Sequence, residues 1–232
     1  MFWREDPGQG EFRATDAVQD LGFRLRGQAL PVDHAYDLQT EILKVLPWMA
    51  ETEGAGVHAI HVAASGNGWH RPEEGEEHAM LYLSCRTRLR LRLPKERLQD
   101  ALNLVGATLN LGGHALEVGK AEAKPLSASA TIFARYVVAD AGESEERFLA
   151  RMVDRAGREH GVRVRKALCG RETVIRKPDG PLITRSLMLA EIEKEESVRL
   201  QCAGLGPCRL MGCGLFIPHK GIAPVNAAAD ES

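Results

Sequence analysis

An α+β chain of two consecutive β-α-β-β-α-β modules is predicted by three features of the sequence. Runs of strand length alternate apolar and polar residues, apolar residues recur at helical spacing between them, and the whole order returns about a hundred residues later. In the first module Leu21-Gly22-Phe23-Arg24-Leu25-Arg26 alternates and predicts a strand. Asp33 stands at an N-cap position, and Ala35, Leu38, Ile42, Val45 and Met49 recur at helical spacing until Pro47 and the Glu and Gly residues beyond it break the run. Gly56 to Val62 predicts a second strand, followed by a Gly- and Glu-rich loop through His78, and Met80 to Leu93 predicts a long third strand. Pro94 suits a helix first turn, with Leu98, Ala101, Leu102 and Val105 on one side of the helix that follows. Gly112-Gly113 then turns into a fourth strand, His114 to Val118.

The second half predicts strands at 131–138, 162–175, 182–192 and 210–217, with helices at 144–160 and 194–203. These elements make two tandem ferredoxin-like modules, 17–125 and 127–220, joined near Lys124-Pro125-Leu126-Ser127. A fold of this kind assigns no function by itself.

Composition narrows the classes. The 232 residues are 44% hydrophobic and 27% charged, which excludes disorder as the main state. No apolar run approaches the roughly 18 to 20 residues of a membrane helix. Met1-Phe2-Trp3-Arg4-Glu5-Asp6 lacks the apolar core of a signal peptide, so a cytosolic protein is expected. Five cysteines without a Cys-x-x-Cys pair argue against a disulfide framework. Aromatics at 5% disfavour a stacking platform for single-stranded nucleic acid. The net charge of −2 leaves room for separated patches, because 30 Lys and Arg face 32 Asp and Glu.

Two motifs stand out. Period two puts Arg86, Arg88, Arg90 and Arg92 on one face of the third strand, and Arg24 and Arg26 alternate likewise on its expected neighbour. Six guanidinium groups on one open sheet face suit phosphates. The alternative is a solvated face balanced by Glu73, Glu74, Glu76 and Glu77 of the nearby loop. The second motif, Gly204-Leu205-Gly206-Pro207-Cys208-Arg209-Leu210-Met211-Gly212-Cys213-Gly214, keeps side chains out and offers backbone N–H groups to a polyanion. No Gly-Lys-Ser/Thr follows, which excludes a P-loop, and a strand rather than a helix comes next, which excludes a dinucleotide fingerprint. A hairpin turn without a ligand is the competing reading.

The glycine run with its basic Arg209, at the end of a tandem ferredoxin-like chain, resembles the C-terminal signature of the RAMP superfamily. Within it the chain is similar to the CRISPR-associated endoribonucleases that cut repeat RNA, in particular their MYXAN subtype. Further stretches carry this likeness: Leu25-Arg26-Gly27 on to Asp33-His34, Leu46-Pro47-Trp48, Arg90-Leu91-Arg92-Leu93-Pro94, Thr184-Arg185-Ser186-Leu187 and Phe216-Ile217-Pro218-His219-Lys220. The resemblance implies binding of a precursor CRISPR RNA and one cut within each repeat. The cut would need no metal and no cofactor, with the neighbouring 2′-hydroxyl attacking the phosphate to leave a cyclic phosphate and a 5′-hydroxyl. A non-cleaving subunit that retains guide RNA among other subunits of an effector complex is the alternative. A ferredoxin-like metabolite sensor is a third reading, independent of the resemblance.

Such a reaction needs a base, and the family usually places a histidine in or after the first helix. His34 fits best, because a helix N-terminus attracts phosphate and favours the neutral imidazole. An ordinary exposed helix-start residue beside Asp33 is the bland reading. His58 is the second candidate, expected to point away from His61 on its strand. Tyr36 lies about 200° around the helix from His34, so its help would require a chain not yet helical there. His219 and Lys220, beside the glycine loop, are candidate RNA contacts together with Gly204, Gly206, Arg209, Gly212 and Gly214. Cys202, Cys208, Cys213 and His219 fall close together, but every gap is wider than structural zinc sites favour, so no metal site is expected.

Overall fold

The computed structural model describes residues 17–62 and 79–219. The loop glutamates Glu73 to Glu77 and Lys220 lie outside the described residues. In chain order the elements of the first half are β1 (Val18–Arg26), β2 (Ala29–Pro31), α1 (Ala35–Val45), β3 (Gly56–His58), β4 (Met80–Tyr82), β5 (Arg88–Pro94), α2 (Leu98–Ala101), β6 (Thr108–Leu111) and β7 (His114–Pro125). The second half runs β8 (Thr131–Val138), α3 (Glu145–His160), β9 (Lys166–Ile175), β10 (Leu182–Ala190), α4 (Lys194–Ala203) and β11 (Phe216–Pro218).

The first sheet has the order β3-β5-β1-β7-β6 and the second β11-β8-β10-β9, with neighbours antiparallel throughout. Each holds the ferredoxin-like arrangement, in which the first and third strands of a module are central. Alternation explains how each sheet is covered. Leu21, Phe23, Leu25, Leu89, Leu91 and Leu93 point to one face and bury against Leu38 and Ile42 of α1. Ile132, Ala134, Leu187 and Leu189 do the same under Phe148 and Met152 of α3. Arg24, Arg88 and Arg90 are left on the uncovered face of the first sheet, where Arg24 lies opposite Arg88.

Several elements depart from the expected pattern: β2 and β6 are additional strands, and α2 is a helix of only four residues. The third strand is broken between β4 and β5, because a turn closes where the Thr87 N–H donates to the Ser84 carbonyl at 3.0 Å and Thr87 Oγ1 accepts the Ser84 N–H at 3.1 Å. The second strand stops at His58, since the Ile60 N–H is taken by a side chain rather than by the ladder. The last strand is only three residues long, Phe216–Pro218, after a 3-10 turn at Arg209–Met211. His34, not Asp33, is the N-cap residue of α1, and Asp33 Oδ2 instead accepts the backbone N–H of Arg176 in β9's following turn at 3.0 Å.

The two modules are bolted together by buried polar contacts. Arg92 donates across the junction to the carbonyls of Gln201 and Phe216 at 2.9 and 2.6 Å. Arg209 reaches the other way, donating to the carbonyls of Gly54 and Ala55 at 2.7 and 3.3 Å, as well as to Cys202 and Ala203 beside it. The Arg92 contacts are fully buried and those of Arg209 to Gly54, Ala55 and Cys202 partly so, which gives shielded carbonyls a donor at the junction.

Candidate functional site

Where the open face of the first sheet meets the second module, a groove forms. It is lined by His58, Ala59 and His61 from the chain after β3, by Arg86, Arg88 and Arg90 around the start of β5, by Phe133 and Arg135 of β8, and by Gly212, Leu215 and Ile217 near β11. Four arginines and two histidines thus converge on one concavity. Ordinary strand alternation supplies Arg88 and Arg90, while the Ser84 to Thr87 turn brings in Arg86. Arg88 is steadied by donating to the carbonyls of Cys85 and Thr87 at 2.7 and 2.8 Å.

The expected stripe of six open arginines is corrected at two positions, Arg92 and Arg86. Arg92 has no exposed surface, because the second module covers it, and it clamps Asp20 with Nε at 2.8 Å and Nη2 at 3.0 Å. Arg86 lies on the turn rather than on the strand. Arg26 is exposed but sits at the far end of β1, beside Glu117 at 3.3 Å. Arg24, Arg26, Arg88 and Arg90 remain where alternation puts them, with Arg24 and Arg26 outside the groove lining.

His34 is buried at 3% exposure and both its ring nitrogens have backbone neighbours. Nδ1 lies 2.9 Å from the carbonyl oxygens of Pro31 and Val32, and Nε2 accepts the Ile60 N–H at 2.9 Å. A carbonyl on one side and an N–H on the other assign the neutral Nδ1–H tautomer. The exposed helix-start residue of the bland reading is therefore not what the fold builds. Tyr36 packs beside Ala35, Tyr136 and Met211 at the module junction and is not among the groove residues.

His58 and His61, expected on opposite faces, line the same groove, because β3 ends between them. His61 is exposed, and its Nδ1 accepts from Arg135 Nη2 at 3.0 Å. The His58 side chain is 13% exposed, and its Nε2 stands 3.5 Å from Asp20 Oδ1. Burial pushes the His58 pKa down to about 4, Arg92 and Arg90 adding to the effect and Asp20 opposing it. The ring is neutral at pH 7. Burial alone would raise the Asp20 pKa, but His58 and Arg92 override it and hold the carboxyl well below the usual carboxylate range.

The glycine loop is an internal part rather than an open cradle. Its N–H groups at Gly204, Gly212 and Gly214 donate to the carbonyls of Leu200, Arg209 and Tyr136 at 2.8, 3.0 and 2.7 Å. Gly212 at φ +84 lies so close to Val57 and Ala59 that a Cβ would meet Ala59 N at 3.1 Å. Gly206 is half-buried at φ +85. Arg209 is corrected likewise: its guanidinium is spent on four carbonyls, and burial first, then the Arg92 charge, pushes its pKa down to about 10. His219 is exposed, with its ring 5.9 Å from that of Phe133 at the edge of the groove. Among the described residues no three His, Cys, Asp or Glu side chains gather to hold a metal ion. Also among them, no helix is long and apolar enough to cross a membrane.

Arg135 and His61 in the groove, and Asp20 behind His58, are residues to which the sequence reading gave no role. Asp20 was legible in period two, which places it in line with Arg24 and Arg26. The meeting of Arg135 with the first module depends on how the modules dock, for which the sequence carries no local signal.

Comparison with known proteins agrees with this architecture. The family model described as Cas6 Crispr matches residues 19–221. A curated relative, the CRISPR-associated endonuclease Cas6 of Myxococcus xanthus (strain DK1622), is 32% identical over 208 residues, covering 90% of this chain and 84% of the relative. Among solved structures, one named CRISPR associated protein Cas6 superposes with a TM-score of 0.58 at 12% identity, over 88% of this chain and all of that one. A Cas6-related protein from Pyrococcus furiosus follows with a TM-score of 0.55 at 13% identity, over 86% of this chain and 97% of that one. Those structural likenesses bear on the fold, and the matches in sequence decide the family: the chain belongs to the Cas6 family of CRISPR-associated endonucleases.

Proposed function

We propose that the chain binds the repeat of a precursor CRISPR RNA and cuts it in the groove between the modules, by attack of the 2′-hydroxyl next to the scissile phosphate and without a metal ion. The observation that carries this reading is the convergence of Arg86, Arg88, Arg90 and Arg135 with His58 and His61 on one concavity. Guanidinium groups gathered in the groove stabilise the charge that builds on the phosphorane, which is the part a metal would otherwise play. The neutral ring of His58 serves as the base for the 2′-hydroxyl. Arg24 and Arg26 extend the basic face for more distant phosphates, and His219 contacts RNA at the groove edge.

His34 takes a supporting role in this account, holding the Ile60 backbone and so the chain that presents His58 and His61. The glycine loop acts on RNA through the groove wall contributed by Gly212 and Leu215.

The test is incubation of the pure chain with labelled repeat RNA in EDTA. A single cut that disappears when the nucleotide before it is deoxy supports the reading. Activity lost in chelator, or full cutting of the deoxy substrate, overturns it.

A further inference from the structure

His58 stands at the end of a line of contacts that begins in the other module. Arg92 is anchored on the carbonyls of Gln201 and Phe216 and grips both oxygens of Asp20. Asp20 Oδ1 in turn faces His58 Nε2 at 3.5 Å. That nitrogen is sealed from solvent and has no hydrogen-bond partner among the described residues. A bare imidazole lone pair turned toward an anion is repelled, whereas an N–H in the same place is attracted, so the carboxylate selects protonation at Nε2. His58 lines the groove while its Nε2 is covered, which leaves the Nδ1 edge of the ring for the groove.

We propose that Asp20 is a positioning residue for the cleavage reaction: it holds His58 as the Nε2–H tautomer so that Nδ1 is the base, and Arg92 makes that hold depend on the docking of the second module. This inference rests on the cleavage reading above. In the reaction the 2′-O–H proton passes to Nδ1, the 2′-oxygen bonds to phosphorus, and the P–O5′ bond breaks with its electron pair on O5′, which takes a proton from water, and the hydroxide left takes the Nδ1 proton and restores the neutral ring. The imidazolium formed in between carries N–H on both nitrogens, with Asp20 beside one of them to stabilise the charge. A separation of 3.5 Å is longer than a formed hydrogen bond and closes as the ring becomes charged, as catalytic contacts commonly do once substrate is bound. The charged groups that face the ring are Asp20 from β1 and Arg90 and Arg92 from β5. The same line of contacts keeps the base unset until the groove's second wall is in place.

Two measurements test this on the full chain. Imidazole nitrogen shifts of His58 in 15N-labelled protein at pH 7, assigned by difference with His58→Gln, read the tautomer directly. Protonation at Nε2 with a bare Nδ1 is expected, and the opposite assignment overturns the proposal. Asp20→Asn keeps the shape and removes the charge. Its single-turnover cleavage at saturating repeat RNA is expected to fall by about two to four orders of magnitude while RNA affinity and KM stay within about threefold. Cleavage at the wild-type rate overturns the proposal. If Asp20→Asn does not fold, the tautomer spectrum of the wild-type chain decides alone. A wild-type chain that cuts no repeat RNA sinks the cleavage reading, and the same spectrum still reports whether Asp20 sets the ring.

Discussion

His34 Nε2 accepts the backbone N–H of Ile60 at 2.9 Å, so the imidazole at the start of α1 fixes the stretch of chain that carries His58 and His61. The imidazole put forward from the sequence as a base thus braces the segment that lines the groove. His34→Ala leaves the Ile60 N–H and two carbonyls short of a buried partner, a cost of about 1–3 kcal/mol. The expected result is a lowered melting temperature with cleavage reduced by less than about tenfold wherever the protein is folded. His58→Ala should lose far more while melting almost normally.

The arginines of β5 should divide into two kinds. Arg88→Ala and Arg90→Ala are expected to leave stability nearly unchanged and to weaken RNA binding, lowering the log–log salt slope by roughly 0.7 to 0.9 for each phosphate that the variant no longer neutralises. Arg92→Ala leaves Asp20 without its clamp, and breaking such a buried pair costs about 3–5 kcal/mol. Chemical denaturation of the three variants beside a salt titration of repeat-RNA affinity separates the two kinds.

Substitutions in the glycine loop should damage the module junction before they damage RNA binding. Gly212 at φ +84 and Gly214 at φ +66 hold a left-handed backbone, which costs a residue with a side chain roughly 1–2 kcal/mol. An added Cβ at Gly214 also overlaps the Leu205 carbonyl. Gly214→Ala is expected to lower the melting temperature, and RNA affinity measured well below that temperature should recover most of its wild-type value.

Acid should destabilise the chain in two stages. His58 has its folded pKa pushed from an ordinary 6.5 down to about 4, so the unfolded chain takes up the proton first and stability falls as pH drops from 6.5 toward 4. The size is about 3 kcal/mol at about 1.4 kcal/mol per pH unit. Asp20, also held low, contributes stability above its ordinary 3.8 that is lost only below that pH. Urea midpoints between pH 7 and 4 should slope downward in the wild type and flatten in His58→Asn. The pH–rate profile should show no inflection near 6.5 from the base.

The fold was legible because both modules obey one rule throughout. Leu21, Phe23 and Leu25 alternate with residues that face away, and Leu187 and Leu189 do the same in the second half, so the β-α-β-β-α-β order follows from the pattern, although the short strands β2 and β6 do not. The breaks were not legible. The Ser84 to Thr87 turn interrupts an apolar alternation that continues in sequence, and β3 ends because a histidine 26 residues away takes the Ile60 N–H. The site was half legible for the same reason. Arg88 and Arg90 follow from period two, whereas the burial of Arg92, the commitment of Arg209 and the arrival of Arg135 beside His61 all depend on the docking of one module on the other.

The central claim is metal-free cleavage at the module groove with His58 as base, and one experiment meets it directly. Wild-type protein and His58→Ala are each mixed in excess with labelled repeat RNA in EDTA, and the single-turnover rates are compared at matched RNA occupancy. The account predicts one cut by the wild type, with a cyclic phosphate end, and a rate lower by about two to four orders of magnitude in His58→Ala. Equal rates in the two proteins, or no cut by the wild type until a divalent metal is restored, would contradict it.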